Sequence, residues 1–216
     1  MQRAKEALQC AGHLGQGNGM NTRALFVMAA VAALGLWVPV VASAGGLEEV
    51  RLNVLVHDVN LTGNGAGGKE GGADIQGELV FSSPAFLSWA GKPRPYLHGS
   101  VNTAGETNFG GAGLSWMQDF SSIFYGEFEF GLEIHDGIVH LPPDPADPKR
   151  IRLDATRVIL GSRVLFRPTF VLGAHLSERW DAAFVFEHMS HGQILARGRN
   201  EGLDNLGVRL AYKFGR

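Results

Sequence analysis

Near the C-terminal end of the chain, the run Phe184-Val185-Phe186-Glu187-His188-Met189-Ser190-His191-Gly192 sets an imidazole and a hydroxyl two residues apart. On an extended strand this spacing puts both side chains on one face, as neighbours. An imidazole beside a serine can take the hydroxyl proton and turn the oxygen into a nucleophile, the chemistry of covalent acyl transfer. The imidazole then needs an acid to orient it and to stabilise its cation. Asn200-Glu201-Gly202-Leu203-Asp204 follows, and Asp204 heads the next alternating segment, where a hairpin would set it against His188. Glu201, three residues earlier, competes for that role. By spacing alone, His-x-Ser fits equally well with polar residues at a membrane interface above an apolar belt.

The elements that must carry these residues are strands. From Phe124 to Ile134 the chain alternates strictly: Phe124, Phe128, Phe130, Leu132 and Ile134 share one parity, and Glu127, Glu129 and Glu133 the other. The same period of two marks eight segments, roughly 49–59, 73–82, 94–104, 107–118, 122–135, 160–177, 180–191 and 203–214. Most are near the ~9–11 residues with which a tilted strand crosses a bilayer. The pattern predicts an all-β fold, an eight-stranded antiparallel transmembrane β-barrel with apolar side chains toward lipid and polar ones toward the lumen. A soluble lipocalin-like barrel would need the apolar face inside and the charges in water. Glu127, Glu129 and Glu133 with Arg163, Arg167 and Arg209 are the expected filling of the lumen. The Pro- and Asp-rich stretch from His135 to about Ile159 and the Gly63–Gly72 segment are expected to be extracellular loops, and Ser177-Glu178-Arg179 a tight periplasmic turn. His188, Ser190 and Asp204 all fall on the lipid-facing parity, near one rim.

Arg23, the apolar run from Ala24 to Val41 and Ala42-Ser43-Ala44 form a cleavable export signal, with cleavage after Ala44. Met20 fits the role of initiator, because residues 1–19 are polar and of mixed charge. The chain therefore divides into a leader, residues 1–44, and a barrel, residues 45–216. Its one cysteine, Cys10, lies in the leader, so the mature chain is expected to stand without a disulfide. A formal net charge of −2 argues against a nucleic-acid partner, which favours a basic surface. His57, His98, His135, His140 and His175 have no metal-ligand spacing, and the Gly63–Gly72 segment lacks the Lys-Ser/Thr ending of a phosphate loop. No metal or cofactor is expected.

Leu160-Gly161-Ser162, His188-Met189-Ser190, Asn200-Glu201-Gly202-Leu203-Asp204 and the terminal strand to Phe214 resemble the PagL-type lipid A 3-O-deacylases, acyloxyacyl hydrolases of the outer membrane. The resemblance implies hydrolysis of an ester-linked hydroxyacyl chain of lipopolysaccharide, in the outer membrane of a Gram-negative cell. It implies His188 as base, Ser190 as nucleophile and Asp204 as acid. The partners it implies are lipopolysaccharide and membrane lipids, with a homodimer left open. The serine is followed by His191 and Gly192, so the oxyanion donors are expected from the His191 side chain and the Gly192 or Gln193 backbone. The contrasting reading is a non-catalytic small barrel with a structural or adhesive role.

Overall fold

The computed structural model describes residues 46–63 and 67–214. The leader, its cleavage point and Cys10 lie outside them. Eight antiparallel strands close into a barrel: β1 (Leu47–Val56), β2 (Ala73–Phe81), β3 (Arg94–Asn102), β4 (Phe109–Asp119), β5 (Phe124–His135), β6 (Val164–His175), β7 (Trp180–Met189) and β8 (Leu203–Lys213). Each pairs with its sequence neighbour, and β1 closes on β8. No helix among the described residues is long and apolar enough to cross a membrane; the crossing elements are the strands.

The alternation decides which face each side chain takes. On β5, Phe124, Phe128, Phe130 and Leu132 point outward and are exposed, whereas Glu127, Glu129 and Glu133 are buried inside. The outer face carries a row of facing rings: Phe128 pairs with Phe170 and Phe170 with Phe186 across three strands, with the Phe128 and Phe170 centroids 5.3 Å apart. A soluble protein would not leave such a belt in water; lipid covers it at no cost. Trp180, Tyr212 and Phe214 stack edge to face at the end of the belt where the chain finishes.

The lumen is filled with ion pairs. Arg51, fully buried, donates to Glu49, Glu78, Glu127 and Glu129 at 2.6–2.9 Å. Arg209 bonds Glu129 at 2.7 Å and Asn53 at 2.8 Å, and Arg167 bonds Glu187 at 2.8 Å. Arg163, expected in this set, is not there. It is exposed just before β6 and donates to the His135 and Gly137 carbonyls. Its place is taken by Arg51, whose alternation reads the same but three of whose four partners lie on other strands.

Long connections gather at one end: residues 57–72, 136–163 and 190–202. The first part of residues 160–177 is not strand: β6 begins at Val164 because Gly161 turns at φ +73°. A helix, α1 (Pro148–Thr156), interrupts the longest connection, capped by the Asp147 side chain accepting from Lys149 N–H. The opposite end has tight turns, including Leu176 N–H to the Trp180 carbonyl at 2.8 Å. It also has one longer link, residues 82–93, with a 3-10 helix at Ala85–Ala90.

Two substitutions separate the two faces. Phe128→Arg puts a charge in the middle of the lipid belt and should cost ~2–4 kcal/mol. Arg51→Met leaves four buried carboxylates without their shared cation and should cost about 3–5 kcal/mol. Urea-midpoint shifts of the refolded barrel, read by its heat-modifiable band, should show both losses, with Phe128→Leu near wild type.

Candidate active site

Register brings the first two members of the site together. His188 on β7 lies directly opposite Asp204 on β8, and its Nδ1 is 2.6 Å from Asp204 Oδ1. An ionised carboxylate at that nitrogen accepts the Nδ1 proton, which leaves Nε2 as the basic nitrogen. The His188 side chain is 19% exposed and that of Asp204 6%.

Asp204 has the outward parity of Leu206 and Val208, both exposed, yet it is buried. The β1–β2 connection covers it. Thr62 donates to Asp204 Oδ2 through both its backbone N–H, at 2.8 Å, and its hydroxyl, at 2.7 Å. Val59 N–H reaches the Asp204 carbonyl at 2.7 Å. Both carboxylate oxygens are thus hydrogen-bonded, which lets a charge sit at a lipid-facing position.

Glu201 is used elsewhere. Its carboxylate accepts from Ile159 N–H at 2.7 Å and from Lys69 Nζ at 2.9 Å, with Arg199 beside it. Burial alone would raise its pKa; these donors instead hold it below the usual value. It braces three connections, and His188 bonds Asp204 alone.

Ser190 is the first residue beyond β7. It is fixed by a backbone bridge to Phe166, with Phe166 N–H to the Ser190 carbonyl at 2.8 Å and Ser190 N–H to the Phe166 carbonyl at 3.1 Å. It shares the outward face of His188, but no hydrogen bond joins the two side chains. His191, next in sequence, takes the opposite parity and is fully buried. Its Nδ1 accepts from Gln193 N–H at 3.2 Å, so its Nε2 carries the proton and donates to the Arg199 carbonyl at 3.1 Å. The expected His191 side-chain donor is therefore spent inside the loop, and so is the Gln193 N–H. Gly192, at φ +60°, keeps its N–H without a partner among the described residues.

Two contacts around these residues were not visible in the sequence. Thr62 bonds Asp204 across 142 residues, and no local pattern points to it. Asn200 accepts the His191 N–H at 3.3 Å through Oδ1, and its amide N–H donors have no partner among the described residues. Gly161, at φ +73°, explains part of the 160–162 run: a Cβ there would meet the Arg199 carbonyl oxygen at 1.9 Å and His191 Nε2 at 2.9 Å. Only glycine lets this connection pack under the His191 loop.

A second buried cluster holds the β1–β2 connection in place. His57 Nδ1 lies 2.8 Å from Asp74 and Nε2 lies 3.1 Å from Glu70, and Glu70 also accepts from Arg157 Nε at 2.7 Å. Burial works to lower the His57 pKa, but the hydrogen bonds and charges of Asp74 and Glu70 overturn this and raise it to about 9. Burial works to raise Glu70, and its bonds to His57, Thr107 and Arg157 bring it down to about 2. Among the described residues no group of side chains has the arrangement of a metal site.

A closed barrel with an apolar outer face is a transmembrane barrel, and here Ser190, His188 and Asp204 lie at one of its rims. The lipid A 3-O-deacylase (PagL) family model matches residues 57–213, and the chain belongs to that family. A crystal structure of the outer membrane enzyme PagL superposes with a TM-score of 0.53 at 13% identity, covering 76% of this chain and 97% of that one. Two designed transmembrane β-barrels also align, one with a TM-score of 0.39 at 13% identity over 77% of this chain and 96% of its own. The other, the solution structure of TMB2.3, gives 0.45 at 9% over 80% and 98%. No curated protein matches the chain.

The His57 cluster has a pH signature. Because its folded pKa is raised, His57 stabilises the connection fully below its ordinary value near 6.5 and loses that contribution as pH rises to about 9. Hydrogen-exchange protection of the 57–63 amides, corrected for intrinsic rate, should fall between those values. His57→Gln should flatten the profile; a wild-type profile already flat in this window would contradict the assignment.

Proposed function

We propose that this protein removes a 3-O-linked hydroxyacyl chain from lipid A in the outer leaflet of the outer membrane, with the long connections on the extracellular side. The observation that carries the reading is the His188–Asp204 pair on the outward face. It leaves Nε2 of His188 as a base two residues from Ser190, open to a substrate that arrives within the membrane. Ser190 Oγ attacks the ester carbonyl and His188 Nε2 takes its proton, while Asp204 stays ionised and holds the imidazolium. The oxyanion receives hydrogen bonds from Gly192 N–H and the Asn200 amide. Collapse of the tetrahedral intermediate expels the sugar 3-hydroxyl, which takes the proton from His188. Water, deprotonated by the same imidazole, then releases the hydroxy fatty acid and restores Ser190. The serine–imidazole hydrogen bond forms with substrate in place, since such bonds are often long in unliganded sites. Its absence here is the one observation on the side of a non-catalytic barrel.

Mass analysis of lipid A exposed to each variant separates the two. Ser190→Ala and His188→Asn should each lower the rate by about 10⁴ or more, and the double variant should be no worse. Asp204→Asn should cost about 10⁴ and Asn200→Ala about 10²–10³. Glu201→Gln, which keeps an acceptor for Ile159 N–H, should retain activity to within about tenfold. Wild-type deacylation by Ser190→Ala would refute the assignment; a dead Glu201→Gln beside an active Asp204→Asn would move the acid to Glu201.

A further inference from the structure

Between the β5–β6 and β7–β8 connections, at the same end as His188, lies a cavity of about 240 Å³. Arg150, Arg197, Arg199 and His140 line it over a floor that includes Ile159 and Gly161, and no carboxylate lines it. Arg199 is committed to Asp154 and Glu201. Arg150 donates through one nitrogen, Nη1, to the Pro142 carbonyl at 2.7 Å, with its other guanidinium donors unspent. Arg197 is exposed and has no hydrogen bond or ion pair among the described residues. Two guanidinium groups therefore face a concave polar site with donors to spare, which is the arrangement that takes a planar or tetrahedral oxyanion.

The cavity adjoins the loop that follows Ser190 in the chain. Its floor residue Gly161 abuts His191, and the Arg199 carbonyl accepts from His191 Nε2 at 3.1 Å. Residues 190–199 thus carry Ser190 at one end and the arginines at the other. A ligand that occupies both must bear an acyl ester and an anion on one compact headgroup. Lipid A, a phosphorylated glucosamine disaccharide, has that form. Resting on the function proposed above, we infer that Arg150 and Arg197 bind a phosphomonoester of the glucosamine headgroup and so set the register of the ester over Ser190.

The test uses the refolded barrel in detergent micelles, with lipid A carrying its phosphates and the same lipid A dephosphorylated. Wild type should show a KM roughly tenfold lower for the phosphorylated lipid, about the worth of one charge-assisted contact. Arg150→Gln/Arg197→Gln should bring the two KM values within about twofold of each other. Glu178→Gln, at the opposite mouth of the barrel, should keep the wild-type ratio. Inorganic phosphate should inhibit wild type more than chloride at matched ionic strength, and not the double variant. Titration of both lipids onto Ser190→Ala gives the same comparison without turnover. Failure of wild type to cleave either lipid would sink the proposed reaction, while the binding comparison would still decide the phosphate site. Equal affinity for both lipids, or a double variant that keeps the preference, overturns the inference alone. Phosphate-specific inhibition with no lipid preference would make this a site for free phosphate and overturn the headgroup assignment.

Discussion

The structure depends on a lumen packed with opposite charges. Three arginines, Arg51, Arg167 and Arg209, and the glutamates around them are withdrawn from solvent, so each charge must be neutralised by a neighbour, in most pairs one on another strand. Arg51 alone ties β1 to β2 and β5. Such a network has one good arrangement and many poor ones: a strand displaced by one residue would carry its charge to the lipid side and an apolar side chain to the arginines. The ion pairs therefore fix the register of the barrel as much as they contribute to its stability. They also fill the middle of the lumen, and the cavity of about 660 Å³ lined by Glu49, Arg94, His175, Asp181 and Lys213 lies at the turn end, away from His188.

Register delivers the candidate residues to the outward face. The pairing that sets Phe184 against Val208 on the lipid belt also sets His188 against Asp204 two rungs on each side toward the rim. The site needs no separate scaffold; it is the top of the β7–β8 ladder, where the apolar belt gives way to polar side chains. What the ladder cannot supply comes from the connections. The 57–72 segment caps the acid through Thr62, and the 158–161 segment is laced to Glu201 and packed under His191. The His57–Glu70–Arg157 cluster joins those two connections to each other.

The barrel was legible in the sequence because a period of two is a local signal, and lipid on one side with ion pairs on the other makes it stricter than in a soluble sheet. The eight segments, the outward aromatic face of β5 and the hairpin that aligns His188 with Asp204 all follow from that period. What could not be read are contacts made at long sequence separation. Nothing local distinguishes Arg51 from Arg163, yet one is the centre of the lumen and the other is at the rim. The β6 start was set too early because the alternation runs on through Gly161, whose positive φ breaks the strand. His191 looked like a donor to the site by adjacency to Ser190, but its parity turns it inward, and the loop it lies in consumes both ring nitrogens. Thr62 has no signature at all; it matters through a partner that folding brings to it, and nothing in the run from Asn200 to Asp204 shows that Asn200 bonds the His191 N–H.

The coverage of Asp204 follows from its place on the barrel. A carboxylate on the outward parity, at the edge of a hydrocarbon belt, would be poorly solvated. Here one oxygen meets His188 and the other receives two bonds from Thr62, so the ionised form is satisfied without water. An aspartate suits this geometry: its side chain is short enough to meet an imidazole directly across the ladder, where a longer acid would have to fold back. The capping loop is thus the counterpart of the lumen network. Inside the barrel buried charge is balanced by opposite charge, and on the outside the Asp204 carboxylate is balanced by donors brought over the rim. Both arrangements solve the same problem, satisfying an ionisable group where water does not reach it.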